Sequence, residues 1–342
     1  MDSRFCGFHC LRMKTTFWHL RQTRRWMYQI ALMAGLLAFL AWLLSNTLAN
    51  MKARGIQSGF DFLWANAGFD IGESMIRFDA SEPYWRAFGV GLLNTLRVSL
   101  VGIALCTVMG TLIGVGRVSA NALARGLGYA YTELFRNVPV LLQLLIWYVL
   151  LVEFMPDSQS PLHWNDWFFF SKNGFSFPIP VWDAQASSVV WDVPIWDGGE
   201  ITQGVSLTPE FLAITLGLSF YTSAFVAEVV RAGIVSVPRG QLEAARSIGL
   251  SNGQTTRQVL LPQAMRVIIP PLTNQYLNLT KNSSLAVAIG YPDLVSISNT
   301  ALNQTGRAVE CIALIMLVYL GLSLGTSALM NAFNQRMAIR ER

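Results

Sequence analysis

Charge is scarce in this chain. Only 13% of its 342 residues are Asp, Glu, Lys or Arg, and 53% are hydrophobic, whereas soluble domains carry about 25% charged residues. With a mean hydropathy of +0.41, this excludes an ordinary soluble domain and points to an integral membrane protein. Histidine is scarcer still. His9, His19 and His163 all lie outside the apolar runs, so no Ser-His-Asp set can be argued and no H-E-x-x-H metal helix is present. No G-x-x-x-x-G-K-[ST] run occurs either. Without that glycine-rich cradle and its lysine the chain has no nucleotide phosphate loop of its own, so it is expected not to be an enzyme and to bind no cofactor. The cysteines are Cys6, Cys10, Cys106 and Cys311. None falls in a long loop read below as external, so no disulfide framework is visible. Cys6, His9 and Cys10 lack the fourth ligand a structural metal site needs. The net charge of +5 comes without a basic stripe carrying stacking aromatics, so nucleic acid is not an expected partner.

Apolar runs dominate what is there. Met27 to Leu48, Phe88 to Val115, Val138 to Phe154, Phe211 to Val235, Val267 to Ile289 and Ala308 to Phe333 each approach the about 20 residues that cross a bilayer. The first follows Arg21, Arg24 and Arg25, and its apolar core is too long for a cleaved signal peptide. The fifth contains "NQYLNLTKNSS", too polar to face lipid, so protein must cover it or it must line a cavity. Charge sets the orientation, because Lys and Arg collect on the cytoplasmic side. The tail before the first span, the Arg117 to Arg136 connection, the segment around Arg239 to Arg266 and the C-terminal tail are all net positive. The connection Pro156 to Leu207 has six acidic residues against Lys172 alone. Both termini are therefore expected in the cytoplasm. The expected division is a basic tail 1–26, a first membrane helix 27–49, an outer loop 50–87, a membrane domain 88–333 and a tail 334–342. The membrane domain carries an outer insertion 156–207 and a cytoplasmic loop 236–266.

That cytoplasmic loop is the odd element. In "GQLEAARSIGLSNGQTTRQVLLPQAMR", Leu242, Ala245 and Ile248 recur at three-residue steps and give a narrow apolar stripe on one helix face. Gly249 is placed to end the helix and Leu250-Ser251-Asn252-Gly253 to turn. Gln254 to Leu261 then predicts a second short helix stopped by Pro262. Glu243 sits near the first helix's N-terminus, where a carboxylate suits the macrodipole. Periodicity alone leaves two uses open: lying on the membrane surface or docking another protein. The stripe has no Trp or Phe, which weakens the first.

Glu243-Ala244-Ala245, then Gly249, Val259 and Leu261-Pro262, resemble the EAA motif of ABC importer permeases, with Val259 in place of the usual Ile. "NTLRVSL", "ELFRNVPVLLQLLIWY" and "LTKNSSLAVAIGYPDLV" look like the polar amino-acid subfamily. "SGFDFLWANAGFDIG" and "NQTGRAVE" look like its general L-amino-acid branch, of the Aap/Bzt type. The resemblance runs from the first span to the C-terminus. The first thirteen residues, to Met13, match nothing in it and are expected to be an upstream start. Arg97 stands where the family usually has an apolar residue, and Trp164 to Trp196 has no clear counterpart. The resemblance implies an all-α membrane fold of about six spans, the type I importer (MetI-like) permease fold, in a bacterial inner membrane. It implies a coupling helix that docks on a separate ATPase dimer, which would carry the ATP and Mg²⁺. A second homologous permease, in a heterodimer or homodimer, and a periplasmic amino-acid-binding protein would complete the importer. A stand-alone secondary transporter or channel, with the amphipathic helix on the lipid, is the rival reading; a membrane-bound assembly factor is a third.

Polar residues in spans are candidates for the substrate path, because a transported zwitterion needs replacements for its water. They are Asn94, Arg97, Gln143, Tyr221, Asn278, Gln304, Arg307 and Glu310. Arg97 is placed near mid-depth of the second span. Arg307 and Glu310 are three apart and have an alternative use as a pair. Gly110/Gly114 and Gly321/Gly325 have the spacing for close helix packing. The outer tryptophans can be read as anchors at the membrane interface or as a docking surface for the binding protein.

Overall fold

The computed structural model describes residues 21–53, 55, 58–183 and 188–337. The Cys6, His9 and Cys10 group, most of the basic tail and the last residues of the C-terminal tail lie outside the described residues. The chain divides into two units at Ser58/Gly59. The first contains α1, Arg21–Ala53. It starts before and ends after the expected 27–49, because nothing in its polar flanks breaks a helix. Its apolar stretch is long enough to cross a membrane.

The second unit is a helical bundle with a β insertion. Its helices are α2 (Tyr84–Arg117), α3 (Ala122–Asn137), α4 (Val140–Glu153), α5 (Pro209–Val235), α6 (Arg239–Ser247), α7 (Asn252–Thr255), α8 (Leu261–Asn282), α9 (Leu294–Thr305) and α10 (Ala308–Met337). Four described helices, α1, α2, α5 and α10, are long and apolar enough to span on their own. Two bent pairs raise the number to six if each is one broken span. The expected helical fold holds. Among the described residues eight short strands add to it between α4 and α5: β1 (Leu162–Trp164), β2 (Phe168–Ser171), β3 (Gly174–Phe177), β4 (Ile179–Asp183), β5 (Ser188–Asp192), β6 (Ile195–Asp197), β7 (Glu200–Thr202) and β8 (Val205–Leu207). They form a four-stranded antiparallel sheet in the order β1-β2-β3-β8 and the hairpins β4-β5 and β6-β7. Alternation in "FFFS", with Phe169 and Ser171 buried and Phe168 and Phe170 less so, marks the strand period. Since α5 leads from this insertion to α6, the insertion and α6 lie at opposite ends of the bundle.

Two expectations need correction. The connection Arg117 to Arg136 is mostly helix α3, which meets α4 at a 104° bend. The break falls at Val138-Pro139, where Val138 is extended (φ −98, ψ 130), as the residue before proline prefers. Pro262 does not stop the helix after the loop turn. A π turn over Thr256–Leu260 precedes it, with the Leu261 N–H bonded to the Thr256 carbonyl, and α8 runs on. Widening the turn removes the clash between a proline ring and the carbonyl one turn back. The segment before α2 is built into the bundle: Phe62 and Ala67 join Tyr84, Phe88 and Val90 of α2 in a second core with Leu294, Ile297 and Cys311.

The α2–α5 contact is close because two glycines permit it. A Cβ on Gly110 would stand 2.5 Å from the Val226 Cβ, and one on Gly114 2.7 Å from the Ala227 carbonyl oxygen. Gly321 and Gly325, with the same spacing, have nothing within 4 Å. Gly110→Ala is therefore expected to destabilise the fold by about 1–3 kcal/mol through overpacking, seen as a lowered melting temperature in detergent. Gly321→Ala should leave it unchanged.

Candidate functional site

The loop expected to couple to a partner is built by caps. α6 starts at Arg239 and ends at Ser247, and its end is a Schellman turn. The Leu250 N–H bonds the Ala245 carbonyl at 3.2 Å and the Gly249 N–H the Arg246 carbonyl at 3.0 Å. This turn needs a residue at positive φ, and Gly249 supplies φ +90. Ser251 and Gln254 then form a reciprocal capping box that starts α7. Gln263 Nε2 donates to Gln241 Oε1 at 2.5 Å, tying α8 back to α6. Glu243 and Ala244 are exposed, but Ala245 is buried inside the loop and offers a partner no surface. Glu243 lies beyond the first turn of α6 and caps nothing; its carbonyl accepts from the Ser247 hydroxyl. Val259 is partly buried, Pro262 likewise, and Leu261 is half exposed. Ile248, expected on the same stripe as Leu242 and Ala245, is 80% exposed. The cap turns it outward, and that turn is legible in Gly249 once the Schellman geometry is considered.

Just inside this end, Glu228 on α5 takes Arg117 of α2 and Arg231 as partners. The sequence reading used these charges for topology and missed their pairing, because 111 residues separate Arg117 from Glu228.

The substrate-path candidates do not form one site. Gln143 is buried at the α3–α4 break, and its Nε2 donates to the carbonyls of Phe135 and Val138, both at 2.8 Å. Asn94 is buried on α2, donating to the Pro292 carbonyl at 2.9 Å and the Glu73 carbonyl at 2.8 Å. Thr95 beside it accepts from the Leu294 N–H at 3.2 Å. Both amides thus satisfy backbone where a helix is interrupted. Tyr221 packs against Phe225, with ring centroids 5.0 Å apart, and Asn278 is exposed on α8. Gln304 accepts from the Tyr84 hydroxyl at 2.6 Å.

Arg307 and Glu310 are 7% and 5% exposed, and both turn to the segment before α2. Arg307 Nη1 donates to the Gly59 carbonyl at 2.6 Å and to Asp61 at 2.7 Å. Glu310 Oε1 accepts from the Gly59 N–H at 2.6 Å. Arg97 lies level with the start of α5, with its Nη1 2.5 Å from Glu73 Oε1 and its guanidinium 4.1 Å over the Phe211 ring. Glu73 is buried and also accepts from the Thr208 hydroxyl. Burial pushes its carboxyl above its ordinary pKa, against the lowering pull of Thr208 and Arg97. No local pattern in the sequence singles out Glu73. Beside it lies a cavity of about 400 Å³ lined by Asp70, Glu73, Thr208, Glu210, Pro292 and Ser296 among others.

A bundle of apolar helices, interrupted where side chains can satisfy the backbone and extended at one end by an exposed short helix, defines a membrane-embedded translocating subunit. Comparison with known proteins makes the assignment particular. The chain belongs to the family described as binding-protein-dependent transport system inner membrane component, which matches residues 106–339. It is 43% identical to the putative amino-acid ABC transporter permease protein YhdX of Escherichia coli, over 93% of this chain and 95% of that one. It is 40% identical to the general L-amino acid transport system permease protein AapQ of Rhizobium johnstonii, over 92% of each. It is 36% identical to the glutamate/glutamine/aspartate/asparagine transport system permease protein BztB of Rhodobacter capsulatus, over 92% and 93%. Among solved structures, an amino acid ABC transporter with histidines matches at TM-score 0.53 and 26% identity, covering 74% of this chain and 95% of that one. The inward-facing MetNI methionine ABC transporter shares the fold at TM-score 0.52 and 18% identity, covering 76% and 100%.

Gln143→Leu discriminates between backbone support and substrate contact. It orphans two partly buried carbonyls and is expected to cost about 1–3 kcal/mol of stability, read as a lower melting temperature. A purely substrate-binding amide would instead raise the KM for uptake at unchanged melting.

Proposed function

We propose that this chain is the translocating subunit of an ATP-driven importer of L-amino acids, broad in range and favouring polar ones. The observation that carries the substrate class is the extent of likeness: three relatives named as amino-acid permeases align over 92–93% of the chain. The energy enters at α6 and the turn behind it. Ile248 and Leu261 supply exposed apolar anchors and Glu243 a charged contact on a lever braced by Gln241 and Gln263, the kind of rigid, well-packed hot spot that docking uses. In this reading the chain holds no nucleotide, and ATP with Mg²⁺ is bound by a separate ATPase dimer. A second, homologous permease completes the path as a heterodimer, and a periplasmic binding protein delivers the amino acid. The α6 end and both termini face the cytoplasm, in keeping with the basic residues gathered there. Pulling the two coupling helices of such a pair together would bias the bundle between its inward-open and outward-open states.

The test is uptake of labelled glutamate and other amino acids into proteoliposomes holding the whole complex, with and without ATP. Uptake that persists without ATP would sink the proposal in favour of a secondary transporter. Ile248→Asp is expected to lower co-elution of the ATPase subunit by about tenfold or more, as loss of a hot-spot residue does, and to abolish uptake without lowering the melting temperature. Gly249→Ala forces a Cβ into the left-handed region at a cost of about 1–3 kcal/mol and should weaken coupling only in part.

A further inference from the structure

The start of α3 folds back along the end of α2. A Cβ on Gly128 would stand 2.7 Å from the Arg117 Cγ and 3.4 Å from the Ile113 carbonyl oxygen, and one on Gly116 would stand 3.8 Å from the Ala124 carbonyl oxygen. The two helices therefore lie side by side and antiparallel. Between them is a cavity of about 360 Å³, within the range of small-molecule sites. Gly116, Ala124 and Gly128 leave its floor bare, and Leu112 and Leu127, 69% and 63% exposed, form its rims. Along α3 it extends from Ala124 to Tyr131, about 10 Å at the helical rise. Tyr131 brings the one hydroxyl in the lining, and that group is already bonded to Phe220 and Ser223 of α5.

The other end of the groove is cationic. Arg125 follows Ala124, and its Nη1 donates to the Ser119 carbonyl at 3.1 Å. This holds the guanidinium beside the short connection between the two helices. Arg117 and Arg231, at the same end of the bundle, are both taken up by Glu228. Arg125 has no carboxylate partner among the described residues. Its remaining N–H groups form the fork that matches a phosphate. Leucine rims offer a zwitterion nothing in place of its water, so this groove does not suit the transported amino acid. An apolar groove that runs inward from a surface cation suits an acyl chain below a phosphate, and the cytoplasmic leaflet is rich in anionic headgroups.

We propose that the α2–α3 groove binds an anionic phospholipid, with one acyl chain between Leu112 and Leu127 and the headgroup phosphate on Arg125. This rests on the reading of the chain as a membrane subunit with its α6 end in the cytoplasm. The acyl chain fills the space that the two glycines leave and completes the packing of the helix that leads to the α3–α4 break.

The test uses the complete complex: this chain, its partner permease, the ATPase subunit and the binding protein. It is placed in phosphatidylcholine bilayers holding a small fraction of a lipid with a photoreactive group midway along one acyl chain. That lipid is phosphatidylglycerol in one arm and phosphatidylcholine in the other. After illumination, peptides covering 112–116 and 124–131 should carry about fivefold more label from phosphatidylglycerol, the factor that one cation near an anionic surface supplies. The exposed face of α10 around Leu320 and Leu324 should show no such preference. Arg125→Gln should bring groove labelling by the two lipids to parity, and Arg125→Lys should keep most of the preference. Gly116→Leu fills the groove from α2 and Ala124→Leu from α3. Each should remove the groove label from both lipids while leaving the α10 label and the melting temperature unchanged. Equal labelling by the two headgroups in the unsubstituted complex overturns the site, as does groove label that survives both filling variants. A groove labelled by neither lipid means that a partner protein covers it, and overturns the site as well. Millimolar inorganic phosphate should leave the preference intact; its loss would reassign Arg125 to a free anion. No step requires ATP or substrate, so a complex that imports no amino acid counts against the proposed function alone.

Discussion

A peptide bond that leaves a helix inside an apolar medium must find another partner, because no water is there to supply one. The bundle is organised around that constraint. It has two breaks in its spans, between α3 and α4 and between α8 and α9, and each is met by side chains placed for it. Gln143 reaches back across the first break to two carbonyls. Asn94 and Thr95 reach from α2 to Pro292 and Leu294 at the second. Asp293 caps α9 by accepting from the Ser296 N–H. Breaks supported in this way let the helices bend around a path without exposing backbone to lipid.

The α2–α5 pair is the axis on which this is hung. Close glycine contacts hold it towards the α6 end, and the ions Arg117, Glu228 and Arg231 reinforce that end. At the opposite end Glu73 adds hydrogen bonds and an ion pair, and Arg97 covers the Phe211 ring, above an apolar core that includes Val98 and Phe211. The two ends thus differ in the polar groups that each adds to a shared apolar core. Helix α6 adjoins the glycine-packed end of the pair, and the cavity beside Glu73 adjoins the other end. Arg307 and Glu310 serve this arrangement indirectly, by pinning the Gly59–Asp61 stretch to the start of α10 and so steadying the segment that carries Glu73.

Much of this was legible in the sequence. Scarce charge and long apolar runs established a membrane bundle, and the EAA spacing marked the lever. The Gly110/Gly114 spacing marked a close crossing, although the same spacing at Gly321/Gly325 finds no neighbour in this chain. Other readings failed for a common reason. Asn94 and Gln143 stood out as polar groups in apolar surroundings. That shows a need for a partner but not which partner, and here the partners are carbonyls of the chain itself. Pro262 looked like a stop, because the π turn that accommodates it has no signature in residue types. Ala245 looked like part of a docking face, because periodicity does not say which side of a short helix its own loop will cover.

What the sequence determined by itself, then, was composition and local pattern: the medium, the spans, the caps and the family motif. These depend on the residues' own preferences and on neighbours a few positions away. The tertiary structure alone decided which charge meets which. Arg97 with Glu73, Arg117 with Glu228 and Arg307 with Asp61 join residues 24, 111 and 246 positions apart. An ion pair takes its partner from whatever the packing of helices brings within hydrogen-bond reach, and that distance is written only in the folded chain.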